Sequence, residues 1–219
     1  MNLHPEATNS IWGAETTLLT SSSHIEETLA RLRFKLGVSS FFQVNPRQAE
    51  NIYLRIGKVA QEIQDKNLAW DLYSGVGTIS CILGKVFSKV VSFEENLEAA
   101  QLIHLNARSN ECAEKIVVRE GLAEAQLQME SFDKGLPSLL VANPSRRGIQ
   151  EKARSVILRC LDNPSPTQMV YLSCNVETLV RDLIHFKQNQ ILPMEVQAFD
   201  MHAQTDQLEW LVRLQKGAQ

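Results

Sequence analysis

The sequence contains no apolar run approaching the 18 or so residues that would span a bilayer, so no membrane span is expected. Its N-terminus lacks the charged-then-apolar layout of a secretory signal, and a cytoplasmic protein is the expectation. Cysteine is sparse: Cys81, Cys112, Cys160 and Cys174 stand far apart with no Cys-x-x-Cys pair. That spacing speaks for reduced thiols and against a zinc or iron–sulfur site. Strong charge of one sign is also missing. The 22 Lys and Arg against 25 Asp and Glu leave a net charge of −3, without the basic footprint of a free-standing nucleic-acid-binding module. Internal repeats and low-complexity tracts are absent. What is present, 219 residues with 44% hydrophobic content, suits one good-sized domain with a small appendage.

Residues 1–40 are the least regular portion and read as a short β-rich appendage. Thr16 to Thr20 and the alternating Leu32-Arg33-Phe34-Lys35-Leu36 are its candidate strands. From Phe41 onward strand and helix alternate. Asn45-Pro46 is a helix start, with Asn as cap and Pro at the first helical position, and Ile52, Ile56, Val59, Ala60 and Ile63 form one apolar face. Strands are expected at 68–73, 90–94, 116–118, 139–142 and 169–174, with helices between them. A last strand, 208–214, has no helix after it. The expected fold is therefore α/β, a mostly parallel doubly wound sheet with an antiparallel C-terminal strand at or near an edge.

Three strand ends carry chemistry. The first strand runs into Ser74-Gly75-Val76-Gly77-Thr78, a turn in which glycines let backbone approach a ligand. Glu94 ends the second strand about 20 residues later, where it could accept ribose hydroxyls. These two features fit S-adenosylmethionine or a nicotinamide cofactor, and a turn used only for packing is the bland alternative. Asp71, an acid at the end of the first strand, favours a sulfonium ligand over a pyrophosphate.

The fourth strand ends in Asn143-Pro144-Ser145-Arg146-Arg147-Gly148. Asn-Pro-Pro-aromatic motifs hold planar amines in amino-methyltransferases, but Arg146 occupies the aromatic position here. The arginine pair suits phosphates or a carbonyl-rich base, unless it is simply solvated. The fifth strand delivers Ser173-Cys174-Asn175 to the same sheet edge, where open α/β sheets bind ligands. Cys174 there is either a small hydrophobic plug or a nucleophile.

Taken in order, Phe41 to Pro46, Asp71 to Thr78, Asn143 to Gly148, Ser173 to Asp182 and Asp200 to Glu209 resemble the motifs of the RNA uracil-5-methyltransferases. The likeness is strong over residues 38–219 and weak before them, and the Asn-Pro-x-Arg-Arg-Gly version is most similar to bacterial enzymes acting on a large-subunit ribosomal RNA uridine. The resemblance implies a Rossmann-like class I methyltransferase domain over 41–219, S-adenosyl-L-methionine as cofactor and RNA as partner. It implies Cys174 as the nucleophile adding to uracil carbon 6 and Glu209, 35 residues later, as the base that removes the carbon-5 proton. Gln43, Tyr73, Glu94 and Asn143 match the family's cofactor-binding positions, with Gly75 and Gly77 beside them. A target base must leave its stack to enter such a cleft.

Departures from the family pattern cluster in one place. His202, Ala203 and Gln207 stand where the family has Phe, Pro and His, in the loop before Glu209. Ser74, Ser145 and Val176 replace a cysteine and two prolines. The family's upstream RNA-binding and cysteine-rich segments are absent, so the chain is expected to represent the C-terminal catalytic portion. Two further readings stay open: a catalytically weak RNA-binding relic that keeps the cofactor pocket, and a methyltransferase acting on an amine.

Overall fold

The structure, a computed structural model, describes residues 2–3, 15–17, 19, 22–130, 135–163 and 167–217. Seven strands form one sheet in the order β10-β11-β9-β8-β5-β6-β7. These are β5 (Leu68–Leu72), β6 (Lys89–Glu94), β7 (Ile116–Glu120), β8 (Leu139–Ala142), β9 (Gln168–Ser173), β10 (Ile191–Phe199) and β11 (Glu209–Lys216). β5, β6, β7, β8 and β9 run parallel, and β11 is antiparallel to both of its neighbours, β9 and β10. The parallel strands read as near-continuous apolar runs because helices cover both faces. Leu139 to Ala142 and Met169 to Leu172 are all fully buried.

The helices are α1 (Pro46–Glu62), α2 (Thr78–Gly84), α3 (Leu97–Ser109), α4 (Ala123–Met129), α5 (Glu151–Leu161) and α6 (Val176–Gln188). Three start as their sequences dictate. The side chains of Asn45, Asn96 and Asn175 accept hydrogen bonds from the amides of Gln48, Ala99 and Thr178 at 3.2, 3.0 and 3.0 Å, satisfying donors that have no partner inside the helix. Two apolar clusters fill the two sides of the sheet. One holds Ile52, Ile56 and Val59 of α1 with Leu83 and Ile103, and the other holds Trp70, Phe93, Ile157, Tyr171 and Phe186.

Strands at 68–73, 90–94, 116–118, 139–142 and 169–174 are found within a residue or two of their expected places. The C-terminal strand is near the edge rather than at it, because β10 lies outside it. β10 escapes a pattern search for a physical reason: it contains Pro193, shifts register at Pro193/Glu195, and exposes most of its length as an edge strand.

Before the sheet lie two short pairs, β1 (Asn2–Leu3) with β2 (Glu15–Thr16) and β3 (Ile25–Leu29) with β4 (Leu32–Leu36). The expected strand at 16–20 coincides with β2 only at Thr16, and Leu18 and Thr20 lie outside the described residues. The β3–β4 hairpin is tied down by Asn106 of α3 and by Asn110, which caps the C-terminus of that helix. Asn110 Oδ1 accepts from Arg33 N at 3.0 Å and Asn106 Oδ1 from Lys35 N at 2.7 Å, while their amide groups donate to the carbonyls of Arg33 and Lys35. Phe34 and Leu36 of the hairpin join the α1-side core. Among the described residues no helix is long and apolar enough to cross a membrane.

Candidate active site

Strand order reverses direction between β5 and β8, which opens a crevice at the C-terminal ends of the parallel strands. The glycine turn lines one side of it. Gly75 (φ 55°) and Gly77 (φ 85°) both occupy the left-handed region that glycine adopts without penalty. Their surroundings differ. A Cβ on Gly75 would meet nothing within 4 Å, whereas one on Gly77 would stand 3.0 Å from Ile103 Cγ2. Gly75 therefore faces open space, and Gly77 lets α3 pack against the turn. Tyr73 also has positive φ (62°), a strained setting for a bulky residue.

Glu94 is buried at the end of β6 and holds this turn. Its Oε2 accepts from Gly75 N at 2.7 Å and its Oε1 from Asn96 N at 2.8 Å. Burial pushes its carboxyl above the usual range, and these amide bonds counteract the rise. Asp71 does not stand on the cleft surface. It is fully buried, with Oδ2 accepting from Ser80 Oγ at 2.5 Å and Oδ1 lacking a partner. Desolvation raises its pKa to about 7.

The side-chain amides of Asn143, directly after β8, and of Gln43, ahead of α1, are both half-buried and make no hydrogen bond to any described residue. Free amides and an open glycine turn are the features a polar ligand would use. The residues present thus fit a nucleoside-type cofactor such as the one expected.

Cys174 follows directly after β9 and is the exposed member of the four free cysteines; Cys81, Cys112 and Cys160 are buried. A plug would be buried, so the packing role is excluded. Asn175 caps α6, which fixes the backbone immediately after the thiol. Glu209 opens β11, and its neighbour Trp210 is the register partner of Ser173. That pairing brings Cys174 and Glu209 to one end of adjacent strands. Glu209 is 5% exposed, so it is not a solvated edge acid, and desolvation raises its pKa to about 7. Burial and the Glu209 charge push the Cys174 thiol up, while the Arg146 guanidinium pulls it back. Tyr53 on α1 is buried, and burial together with the charges of Asp71 and Glu209 pushes its hydroxyl up.

The altered loop before Glu209 is anchored at several points. Met201 is buried in the core and its carbonyl accepts from Asn45 Nδ2 at 3.3 Å. Gln207, at the family's histidine position, accepts from Arg146 Nη2 at 2.8 Å through Oε1. The substitution thus still contacts the cleft. Tyr53 and the buried Asp182 are the neighbours that sequence reasoning left without a role. Asp182 sits at helical spacing between the buried Leu179 and Phe186, and an acid on an apolar face was the available signal.

Comparison with known proteins identifies the family. The tRNA (Uracil-5-)-methyltransferase family profile matches residues 14–217. An RNA methyltransferase of Enterococcus faecalis, itself uncharacterized, is 33% identical over 217 residues, covering 99% of this chain and 46% of the relative. A similar protein of Bacillus cereus is 30% identical, covering 98% of this chain and 45% of its own length. Among solved structures, the Pyrococcus abyssi tRNA (uracil-54, C5)-methyltransferase in complex with S-adenosyl-L-homocysteine superposes with a TM-score of 0.76 at 25% identity, over 97% of this chain and 49% of that one. The chain spans about half the length of these relatives.

Proposed function

Because the chain belongs to the tRNA (uracil-5-)-methyltransferase family, we propose that it methylates carbon 5 of a uridine in RNA, with Cys174 as nucleophile and Glu209 as base. The observation that carries this reading is the Ser173–Trp210 register, which sets an exposed thiol beside a buried carboxylate at the cleft end of the sheet.

Carbon 5 of uracil is a weak nucleophile. Addition of the Cys174 thiolate to carbon 6 breaks the 5,6 double bond and moves its electron pair toward carbon 5 and the carbonyl, making carbon 5 reactive. S-Adenosyl-L-methionine, when bound, supplies an electrophilic methyl group. Gly75, Tyr73, Gln43, Asn143 and Glu94 would hold it, with Gly77 giving the turn its shape. Glu209 then takes the carbon-5 proton, the double bond re-forms and the carbon–sulfur bond breaks, returning the thiolate. A carboxyl raised to about 7 is a stronger base than an ordinary glutamate and is about half ionised at neutral pH.

Ribosomal RNA of the large subunit is the target class we favour, from the Asn143 to Gly148 motif, and the cytoplasm is the compartment that goes with it. The test is intact-protein mass spectrometry with RNA containing 5-fluorouridine and cofactor. Fluorine blocks proton removal, so a protein–RNA adduct should accumulate at Cys174. No adduct under conditions where cofactor binds would support the relic reading instead.

A further inference from the structure

Behind the cleft, one fully buried carboxylate gathers five donor contacts. Asp182 on α6 accepts from Arg154 Nη1 at 2.5 Å, Arg181 Nε at 2.9 Å and Arg181 Nη2 at 2.8 Å through Oδ1. Its Oδ2 accepts from Tyr171 Oη at 2.8 Å and the amide of Ile149 at 2.9 Å. The bond to Ile149 ties α6 to the loop after β8, and the arginines extend that tie. Arg181 Nη2 donates to the carbonyls of Arg147 at 3.1 Å and Ile149 at 3.3 Å, and Arg154 Nη1 donates to Ile149 O at 3.1 Å.

Closer to the thiol, Thr178 Oγ1 lies 3.2 Å from Arg146 O and 3.3 Å from Asn175 O, bridging the loop to the residue after Cys174. Gly148 must be glycine for this contact. Its φ is 70°, and a Cβ there would stand 2.7 Å from Arg181 Nη2 and 2.8 Å from Asp182 Oδ2.

We propose that Asp182 is a positioning residue that locks the 143–149 loop onto the first turns of α6 and so holds the Arg146 guanidinium at the Cys174 thiol. The charged and titratable groups around the two ends are few. Arg154, Arg181, Tyr171 and Tyr73 face Asp182, and Arg146 and Glu209 face Cys174. Asp182 touches neither thiol nor substrate. It acts through the backbone that carries Arg146, whose far end is steadied by Gln207. The inference rests on Cys174 being the reactive thiol of the proposed reaction.

Alkylation tests it without RNA or cofactor. Iodoacetamide reads Cys174 selectively because the other three cysteines are buried. In Asp182→Asn the alkylation profile should move to higher pH, with a rate at pH 8 about threefold below wild type, as in Arg146→Gln. Removing a negative charge would by itself move the profile the other way, so an upward displacement reports loss of the arginine. The double variant should show no further displacement, because both changes remove the same interaction. A folded Asp182→Asn protein with the wild-type profile, or an additive displacement in the double variant, overturns the proposal.

If Asp182→Asn does not fold by circular dichroism, Thr178→Val and Arg181→Met carry the test. Both should move the profile upward, and unchanged profiles in both overturn the proposal. Failure of the fluorouridine adduct in wild type is a separate outcome. It would reject the nucleophile role of Cys174 and leave the alkylation result standing as a statement about the thiol.

Discussion

Ser173 on β9 and Trp210 on β11 are antiparallel register partners, and this single pairing sets the thiol of the next residue against the carboxylate of the previous one. A shift of one residue would turn Glu209 to the opposite face of the sheet. The site thus depends on a register held by the bonded run from Trp210 to Leu214 against Ser173 to Met169.

Cys174→Ser should abolish the fluorouridine adduct and reduce methyl transfer by several orders of magnitude, because a serine hydroxyl is far less ionised than a thiol. The fold should be unaffected, since the side chain is exposed. Circular dichroism together with a gel-shift assay on denatured protein separates the two effects.

Replacing Glu209 by Gln should leave adduct formation on ordinary RNA largely intact while slowing its release. Rapid quench followed by mass spectrometry distinguishes the steps, and equal slowing of both would reject Glu209 as the base. The wild-type enzyme should also show a pH dependence set by this residue. Its carboxyl, raised to about 7 by desolvation, must be ionised to accept the proton, so turnover should rise as pH climbs through about 7.

Stability should move in the opposite direction. Asp71 and Glu209 both have folded pKa values raised to about 7, so between roughly pH 4.5 and 7 the folded state binds more protons than the unfolded chain. Their contribution is full below the unfolded pKa and is lost as pH rises through the folded value. Urea midpoints should fall between pH 5.5 and pH 8, and Asp71→Asn should flatten that fall, by an amount on the order of 1–3 kcal/mol. A slope unchanged in the variant would show that Asp71 stays ionised throughout.

The two glycines of the turn should separate stability from binding. Gly77→Ala combines positive φ with a contact 3.0 Å from Ile103, and should cost more than the ~1–2 kcal/mol of left-handed strain alone. Gly75→Ala has the strain without the clash, and should weaken cofactor binding through the methyl group it adds to the open side. Denaturant unfolding and calorimetric titration with S-adenosyl-L-homocysteine measure the two effects separately.

Much of this was legible in the chain itself. Asn45-Pro46, the Ser74 to Thr78 turn and the apolar runs of β5, β6, β8 and β9 carry their structure locally, through caps, left-handed glycines and buried-strand composition. β10 and α4 were not legible. An edge strand interrupted by Pro193 shows no alternation, and a seven-residue helix shows too little period.

The sequence by itself determined the order of the parallel strands, the family motifs and the placement of Cys174 at a strand end, whereas the exposure of that thiol came from the tertiary structure. Tertiary structure alone decided what the acidic residues do. Asp71 lies in the core with Ser80, Glu94 clasps the glycine turn, Asp182 anchors a loop and Glu209 is buried beside the thiol. Four similar carboxylates take four roles because each one's solvation and partners come from residues distant in the chain, and no local pattern records those contacts.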